Sequence, residues 1–89
     1  MLTMFLIMTT PNSWADYLQW KKEDRSMVKK IDKLISDTIR YPFTGLGKPE
    51  PLKHQLSGKW SRRISGEHRF VYGVTSDRII IYQVRFHYE

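Results

Sequence analysis

Glu50 stands between Pro49 and Pro51, several arginines follow it, and a histidine–tyrosine pair, His87-Tyr88, lies near the end of the chain. Two prolines fix neighbouring φ angles and limit how far the carboxylate wanders. Glu50 is therefore a candidate general base, the alternative being an ordinary loop acid. Histidine is the natural general acid near neutral pH, which makes His87 the candidate acid. Arg63, Arg69 and Arg85 suit an anion such as phosphate, because guanidinium is a planar fork of donors that keeps its charge. The competing reading is a set of strand arginines that keep a sheet soluble. Tyr88 would stack on a base or donate to a phosphate, or else tuck the chain end onto the sheet. Lys53 and Lys48 would neutralise backbone phosphates or only solvate their loop. His54 and His68 read as structural or hydrogen-bonding residues, and three isolated histidines without ligand spacing argue against a metal site.

Base, acid and arginines on one surface would cleave an RNA phosphodiester. The base takes the proton of a ribose 2′-hydroxyl, which attacks the adjacent phosphorus. Arginines stabilise the crowded phosphate and the acid protonates the departing 5′-oxygen. The substrate supplies the nucleophile, so neither a metal nor a covalent enzyme intermediate is required.

Such a site needs elements to hold it. Met4-Phe5-Leu6-Ile7-Met8 is a continuous apolar run and predicts a strand buried on both faces. Thr9-Thr10-Pro11-Asn12 ends it, and Ser13-Trp14-Ala15-Asp16 matches a capping box. Trp14, Tyr17 and Leu18 then share one face of a short helix running to about Lys22. Asp24 predicts the N-cap of a second helix, in which Met27, Val28, Ile31, Leu34 and Ile35 form an apolar stripe. Pro42 sets its end near Arg40. From Tyr41 to Gly58 no period survives, which predicts a long ordered loop anchored by Phe43, Leu46, Leu52 and Leu56.

Three strands are expected after it, over residues 60–64, 68–74 and 78–86. A two-residue turn at Gly66-Glu67 would mix charged and apolar residues on both faces. A three-residue turn over Ser65-Gly66-Glu67 pairs Ile64 with His68 and Arg63 with Arg69. Trp60, Ile64, Phe70, Tyr72 and Val74 then face the helices, and Ser61, Arg63, Arg69 and Val71 face away. The same parity places Ile80, Tyr82, Val84 and Phe86 in the core, with Ile79, Ile81, Gln83, Arg85 and His87 on the arginine face. Like charges directly opposite in a ladder repel, so Arg63 facing Arg69 makes sense chiefly around a ligand anion.

Composition agrees. With 89 residues, 40% of them hydrophobic, the chain is expected to build one domain, residues 1–89, around one modest core. It has no cysteine, hence no disulfide and no thiolate metal site. A formal charge of +6 favours a polyanionic partner or an acidic protein. The segment from Gly47 onward holds eight Lys/Arg and all three histidines. The apolar segment at Met1 to Met8 has no basic flank and is too short to span a bilayer, so no membrane association and a cytoplasmic location are expected.

Beyond chemistry, the sequence carries a resemblance. Ser13-Trp14, Asp16-Tyr17-Leu18, Val28-Lys29-Lys30-Ile31, Gly47-Lys48-Pro49-Glu50-Pro51-Leu52-Lys53-His54, Leu56-Ser57-Gly58, Trp60-Ser61-Arg62-Arg63-Ile64, Glu67-His68-Arg69, Val71-Tyr72 and His87-Tyr88 resemble the YoeB (Txe) toxins of type II toxin–antitoxin systems. The resemblance implies a RelE/ParE-like α+β fold, two N-terminal helices on one face of a mainly antiparallel twisted sheet. It implies an mRNA endoribonuclease that inhibits translation at the ribosomal A site, against 16S rRNA, with no cofactor. Glu50 matches the family's proposed base, Arg69 its ligand for the scissile phosphate and His87 its proposed acid, with Tyr88 and Arg63 assisting. The implied partner is a YefM-like antitoxin whose acidic, partly disordered segment folds over the toxin, and family members pair into homodimers in some complexes. Glu89, after the customary terminal tyrosine, and a slightly longer N-terminus depart from the pattern. Two other classes remain open: a ParE-like toxin that inhibits a protein such as DNA gyrase, and a non-catalytic RNA-binding module.

Overall fold

Among the residues that the computed structural model describes, 5–86, the helical segments form where caps and an apolar stripe coincide. Helix α1 spans Pro11–Glu23 and opens one turn earlier than expected. Thr10, not Ser13, is the N-cap: its Oγ1 accepts the Ser13 N–H at 3.1 Å, and Ser13 Oγ accepts the Thr10 N–H at 3.0 Å. Proline suits this first turn, whose N–H groups have no intrahelical partner anyway. Ser13 and Trp20 are the buried residues of α1, while Trp14 and Leu18, read as sharing one face with Tyr17, are exposed.

Helix α2, Arg25–Arg40, is capped by Asp24, whose side chain accepts the Ser26 N–H. Met27, Ile31 and Leu34 are buried, and Val28 and Ile35 pack at their flank. The sequence expectation holds here because an uninterrupted apolar stripe leaves one way to face the core.

The sheet contains β1 (Leu6–Thr9), β2 (Glu50–Pro51), β3 (Lys59–Arg63), β4 (Arg69–Val74) and β5 (Arg78–Gln83). The strand order is β1-β5-β4-β3-β2, with β1 parallel to β5 and the other neighbours antiparallel. This is the expected α+β arrangement. β1 is an edge strand, with Leu6, Ile7 and Met8 exposed, so the expectation of burial on both faces is overturned. An apolar run alone does not separate an edge strand from a central one.

β3 and β4 pair in the expected register: Arg63 lies opposite Arg69, and the Ile64 N–H donates to the His68 carbonyl at 2.9 Å. Ile64, Phe70 and Tyr72 pack against Trp20, Met27, Ile31 and Leu34. β5 departs from the expected parity. Val71 pairs with Gln83 but Tyr72 pairs with Ile81, so Tyr82 is the extra residue of a bulge. Ile79 and Ile81 enter the core, whereas Ile80 and Tyr82 are half-buried on the opposite side. After the bulge Val84 is again inside, and Phe86, expected in the core, is 60% exposed. One inserted residue reverses the facing of everything before it.

The segment between α2 and β3 is held by a guanidinium. Arg62 is fully buried. It donates to the Asp37 carboxylate at 2.6 Å, to the Tyr72 hydroxyl at 3.2 Å, and to the carbonyls of Tyr41, Thr44 and Leu46. The Tyr72 hydroxyl in turn donates to the Pro42 carbonyl at 2.6 Å. Leu52 is the buried anchor of this segment; Phe43 and Leu46 are half-exposed, Phe43 lying against Trp60. Backbone carbonyls that no strand or helix serves are thus satisfied by side chains.

Gly47 closes the approach to β3. Its carbonyl accepts the Arg63 N–H at 2.7 Å, its φ is +77°, and a Cβ there would lie 2.8 Å from the Arg63 carbonyl oxygen. Gly47→Ala is expected to lower stability by about 1–3 kcal/mol, read by urea unfolding. An unchanged midpoint would show that the loop yields without cost.

Candidate active site

β2 is only two residues long, yet it decides where Glu50 stands. Glu50 pairs with Ser61 and Pro51 with Trp60. Directly opposed residues share a face, and Ser61 in turn lies opposite Val71, so Glu50 is on the face of Arg63 and Arg69, away from the helices. Arg63 is two residues along the ladder from Ser61. Diagonal neighbours of this kind sit about 7–8 Å apart, within reach of side chains as long as glutamate and arginine. The two arginines, directly opposed, have Cβ atoms about 4.5–5.5 Å apart.

The two guanidinium groups are held differently. Arg63 is exposed. Arg69 is half-buried, and its Nη1 donates to the carbonyls of Ser65 at 2.8 Å and His68 at 3.1 Å, which pins it to the hairpin turn. A cation fixed this way is preorganised for an incoming anion. Beside Glu50, a concave surface is lined by Leu52, Lys53, His54 and Leu56. Lys53 is exposed there and precedes the short 3-10 helix His54–Leu56. The long loop expected from the sequence is thus interrupted by β2 and this turn. Glu50, Arg63 and Arg69 are brought to one face of the sheet, with Lys53 on the concave surface beside Glu50.

Arg85 is not among them, which corrects the face expected for it. Its Nη2 pairs with Glu23 at 2.8 Å, and its guanidinium lies 4.2 Å from the Trp20 ring. The Gln19 amide and the Arg85 guanidinium hold the Glu23 carboxyl below its ordinary pKa. The cause lies beyond the bulge: regular pairing of β5 ends at Gln83, and the bent chain that follows no longer keeps the alternation of faces on which the expectation rested. Arg85→Gln is therefore expected to lower the thermal midpoint, and an unchanged midpoint would show that its contacts with Glu23 and Trp20 add nothing to stability.

His87 and Tyr88, expected as acid and assisting tyrosine, lie outside the described residues. The chain leading to them is well held. Beyond β5, the Val84 N–H donates to Asp16 at 3.2 Å and its carbonyl accepts from Trp20 Nε1 at 2.9 Å. Burial raises the pKa of Asp16, against the lowering pull of the Val84 N–H and Arg85. The Phe86 N–H donates to His68 Nδ1 at 2.8 Å, and its carbonyl accepts the Arg69 N–H at 3.1 Å. The segment before His87 is thereby tied to the backbone of Arg69.

Sequence reasoning gave no role to Arg62 or Asp37 and left His68 with a generic one. A signal for Arg62 existed: it lies between Trp60 and Ile64, so its parity points inward. A charged residue at an inward position has to find partners, and the unperiodic loop nearby had carbonyls to offer.

Comparison with known proteins agrees with this architecture. Residues 9–88 match the family model described as YoeB-like toxin of bacterial type II toxin-antitoxin system. Toxin YoeB of Escherichia coli K12 is 62% identical over 76 residues, covering 85% of this chain and 90% of its own. The YoeB/ParE toxin from Agrobacterium tumefaciens superposes with a TM-score of 0.89 at 51% identity, covering 92% of this chain and 98% of that one. A Staphylococcus aureus YoeB has been solved as a dimer, with a TM-score of 0.89, 40% identity, and coverage of 97% of this chain and 100% of that one. It has also been solved in a YoeB–YefM complex, with a TM-score of 0.87, 40% identity, and coverage of 94% and 98%. With the family model matching nearly the whole chain and close relatives sharing its fold, this protein belongs to the YoeB-like toxins of bacterial type II toxin–antitoxin systems.

Proposed function

We propose that the chain is an mRNA endoribonuclease that works in the ribosomal A site and stops translation by cutting the message. The observation that carries this reading is the pairing of Glu50 with Ser61, which sets a proline-braced carboxylate on the sheet face of the Arg63–Arg69 pair. Glu50 takes the proton of the 2′-hydroxyl, and the resulting oxygen bonds to phosphorus. The phosphorus–5′-oxygen bond breaks, and His87 gives its proton to the leaving oxygen. The products are a 2′,3′-cyclic phosphate and a free 5′-hydroxyl. Arg69, assisted by Arg63, stabilises the charge that builds on the phosphate. Tyr88 and Lys53 contact the RNA, and the ribosome, through its 16S rRNA, presents the strand.

The same basic face explains a partner. A chain of net charge +6 attracts an acidic, flexible segment, and a YefM-like antitoxin that covers Glu50 and the arginines would silence the site. A homodimer, as solved for the Staphylococcus aureus relative, is a further assembly expected of this chain. The location consistent with this substrate is the cytoplasm.

Primer extension on mRNA after induction tests the reading. New 5′ ends within translated codons, absent with Glu50→Gln, are expected. Intact messages together with loss of DNA gyrase activity would instead favour a ParE-like inhibitor.

A further inference from the structure

His68 has a place in this chemistry that the base, acid and arginine assignments leave out. We propose that His68 is a positioning residue for the general acid, fixing Phe86 and so setting where the chain delivers residue 87. The inference rests on the reading of His87 as the acid that protonates the 5′-oxygen.

Regular pairing of β5 ends at Gln83, and the next residues are held by side chains instead. Gln83 Nε2 donates to the carbonyls of Arg85 at 2.7 Å and Phe86 at 2.9 Å. The Phe86 N–H is taken by His68 Nδ1 at 2.8 Å. Phe86 itself has a φ of +62°, the left-handed region that a residue with a Cβ seldom occupies. Such a conformation persists where the surroundings over-determine it. Burial of the phenyl ring is not the reason, because that residue is 60% exposed. The polar grips on its N–H and carbonyl are.

His68 is built to act as a fixed acceptor. It is 8% exposed, and its imidazole meets the Trp20 ring edge-on, with centroids 4.8 Å apart. Because Nδ1 accepts from the Phe86 N–H, Nδ1 carries no proton, and the neutral ring bears its proton on Nε2, on the side of Glu67 Oε1 at 3.5 Å. The neighbouring residue, Arg69, accounts for the Phe86 carbonyl. One dipeptide, His68-Arg69, therefore binds both sides of the residue before the acid while supplying the cation for the scissile phosphate. The residue before the acid and the cation share a mount.

Two substitutions separate positioning from general support. In His68→Asn the amide oxygen falls near the place of Nδ1 and keeps the acceptor; in His68→Gln the amide reaches the place of Nε2 and loses it. Single-turnover cleavage of ribosome-bound mRNA is measured with an ordinary linkage and with a 5′-bridging phosphorothiolate, whose thiolate leaves without protonation. On the ordinary linkage His68→Gln is expected to slow cleavage about 10²-fold, the scale of an ångström-sized misplacement, with little change in KM, and His68→Asn to recover most of the rate. On the sulfur linkage His68→Gln and His87→Gln are both expected to approach wild type, while Glu50→Gln stays slow. Should neither His68 variant fold, Gln83→Met, which removes another grip on Phe86, carries the same expectation. Equal slowing of His68→Gln on both linkages, or equal rates for the Asn and Gln variants, overturns the positioning role. If His87→Gln cleaves the ordinary linkage at the wild-type rate, the acid assignment falls, and with it the reason for the mount.

Discussion

Replacing Glu50 with Gln is expected to slow single-turnover cleavage of ribosome-bound mRNA by about 10²–10⁴-fold, the usual contribution of a positioned general base. His87→Gln should cost a similar factor on the leaving-group side. The two losses differ in character: a sulfur leaving group relieves the second and not the first. Both variants keep the strand pairing and the arginine pair, so binding to the ribosome should persist, which a pelleting assay reads. Toxicity of either variant at wild-type level, with transcripts still cut, would remove the acid–base assignment. Arg69→Ala attacks the same transition state from the charge side and should lose about 10²–10³-fold.

Arg62→Met is expected to be the most damaging substitution for the fold, at about 3–5 kcal/mol, because it removes the fully buried member of a partly buried ion pair and leaves several carbonyls without their donor. Asp37 would lose its 2.6 Å partner, and the carbonyls of Tyr41, Thr44 and Leu46 would lose their donor. For a domain of this size that loss is a large share of the about 5–15 kcal/mol that separates folded from unfolded chains. The network also predicts a pH dependence. Burial alone would raise the Asp37 carboxyl, but the Leu46 N–H and Arg62 outweigh it and hold its pKa below the ordinary value of 3.8. A carboxyl lowered by folding contributes its stability in full above the unfolded value and loses it as the pH falls through the folded one. Urea midpoints should thus decline below about pH 4, and this part of the decline should vanish in Asp37→Asn. Equal acid sensitivity in both proteins would place the titrating group elsewhere.

Why some of this was legible in sequence and some not follows from particular residues. The stripe of Met27, Ile31 and Leu34 after Asp24 has a single period and one cap, so α2 stands where it was expected. The turn at Ser65-Gly66-Glu67 sets the register that opposes Arg63 to Arg69, because the other turn length would scramble both faces. The run Ile79-Ile80-Ile81-Tyr82 has no alternation from which to read an inward residue. A bulge at Tyr82 therefore leaves no trace, and neither does the end of regular pairing at Gln83, beyond which Arg85 turns to Glu23. Glu50 reaches its face through only two paired residues, too few to show a strand pattern, although the flanking prolines marked it as fixed. Arg62 satisfies main-chain carbonyls of residues 41, 44 and 46, and main-chain acceptors carry no side-chain signature.

The proposed chemistry needs a substrate oxygen activated at the Glu50 face, and a single altered nucleotide addresses it. Wild-type protein is given ribosome-bound mRNA with ribose, or with 2′-deoxyribose, at the nucleotide 5′ to the cut, and the fragment ends are analysed. The expected result is a 2′,3′-cyclic phosphate end from the ribose message and no cut at that position in the deoxy message. Cleavage of the deoxy message at an undiminished rate would contradict it.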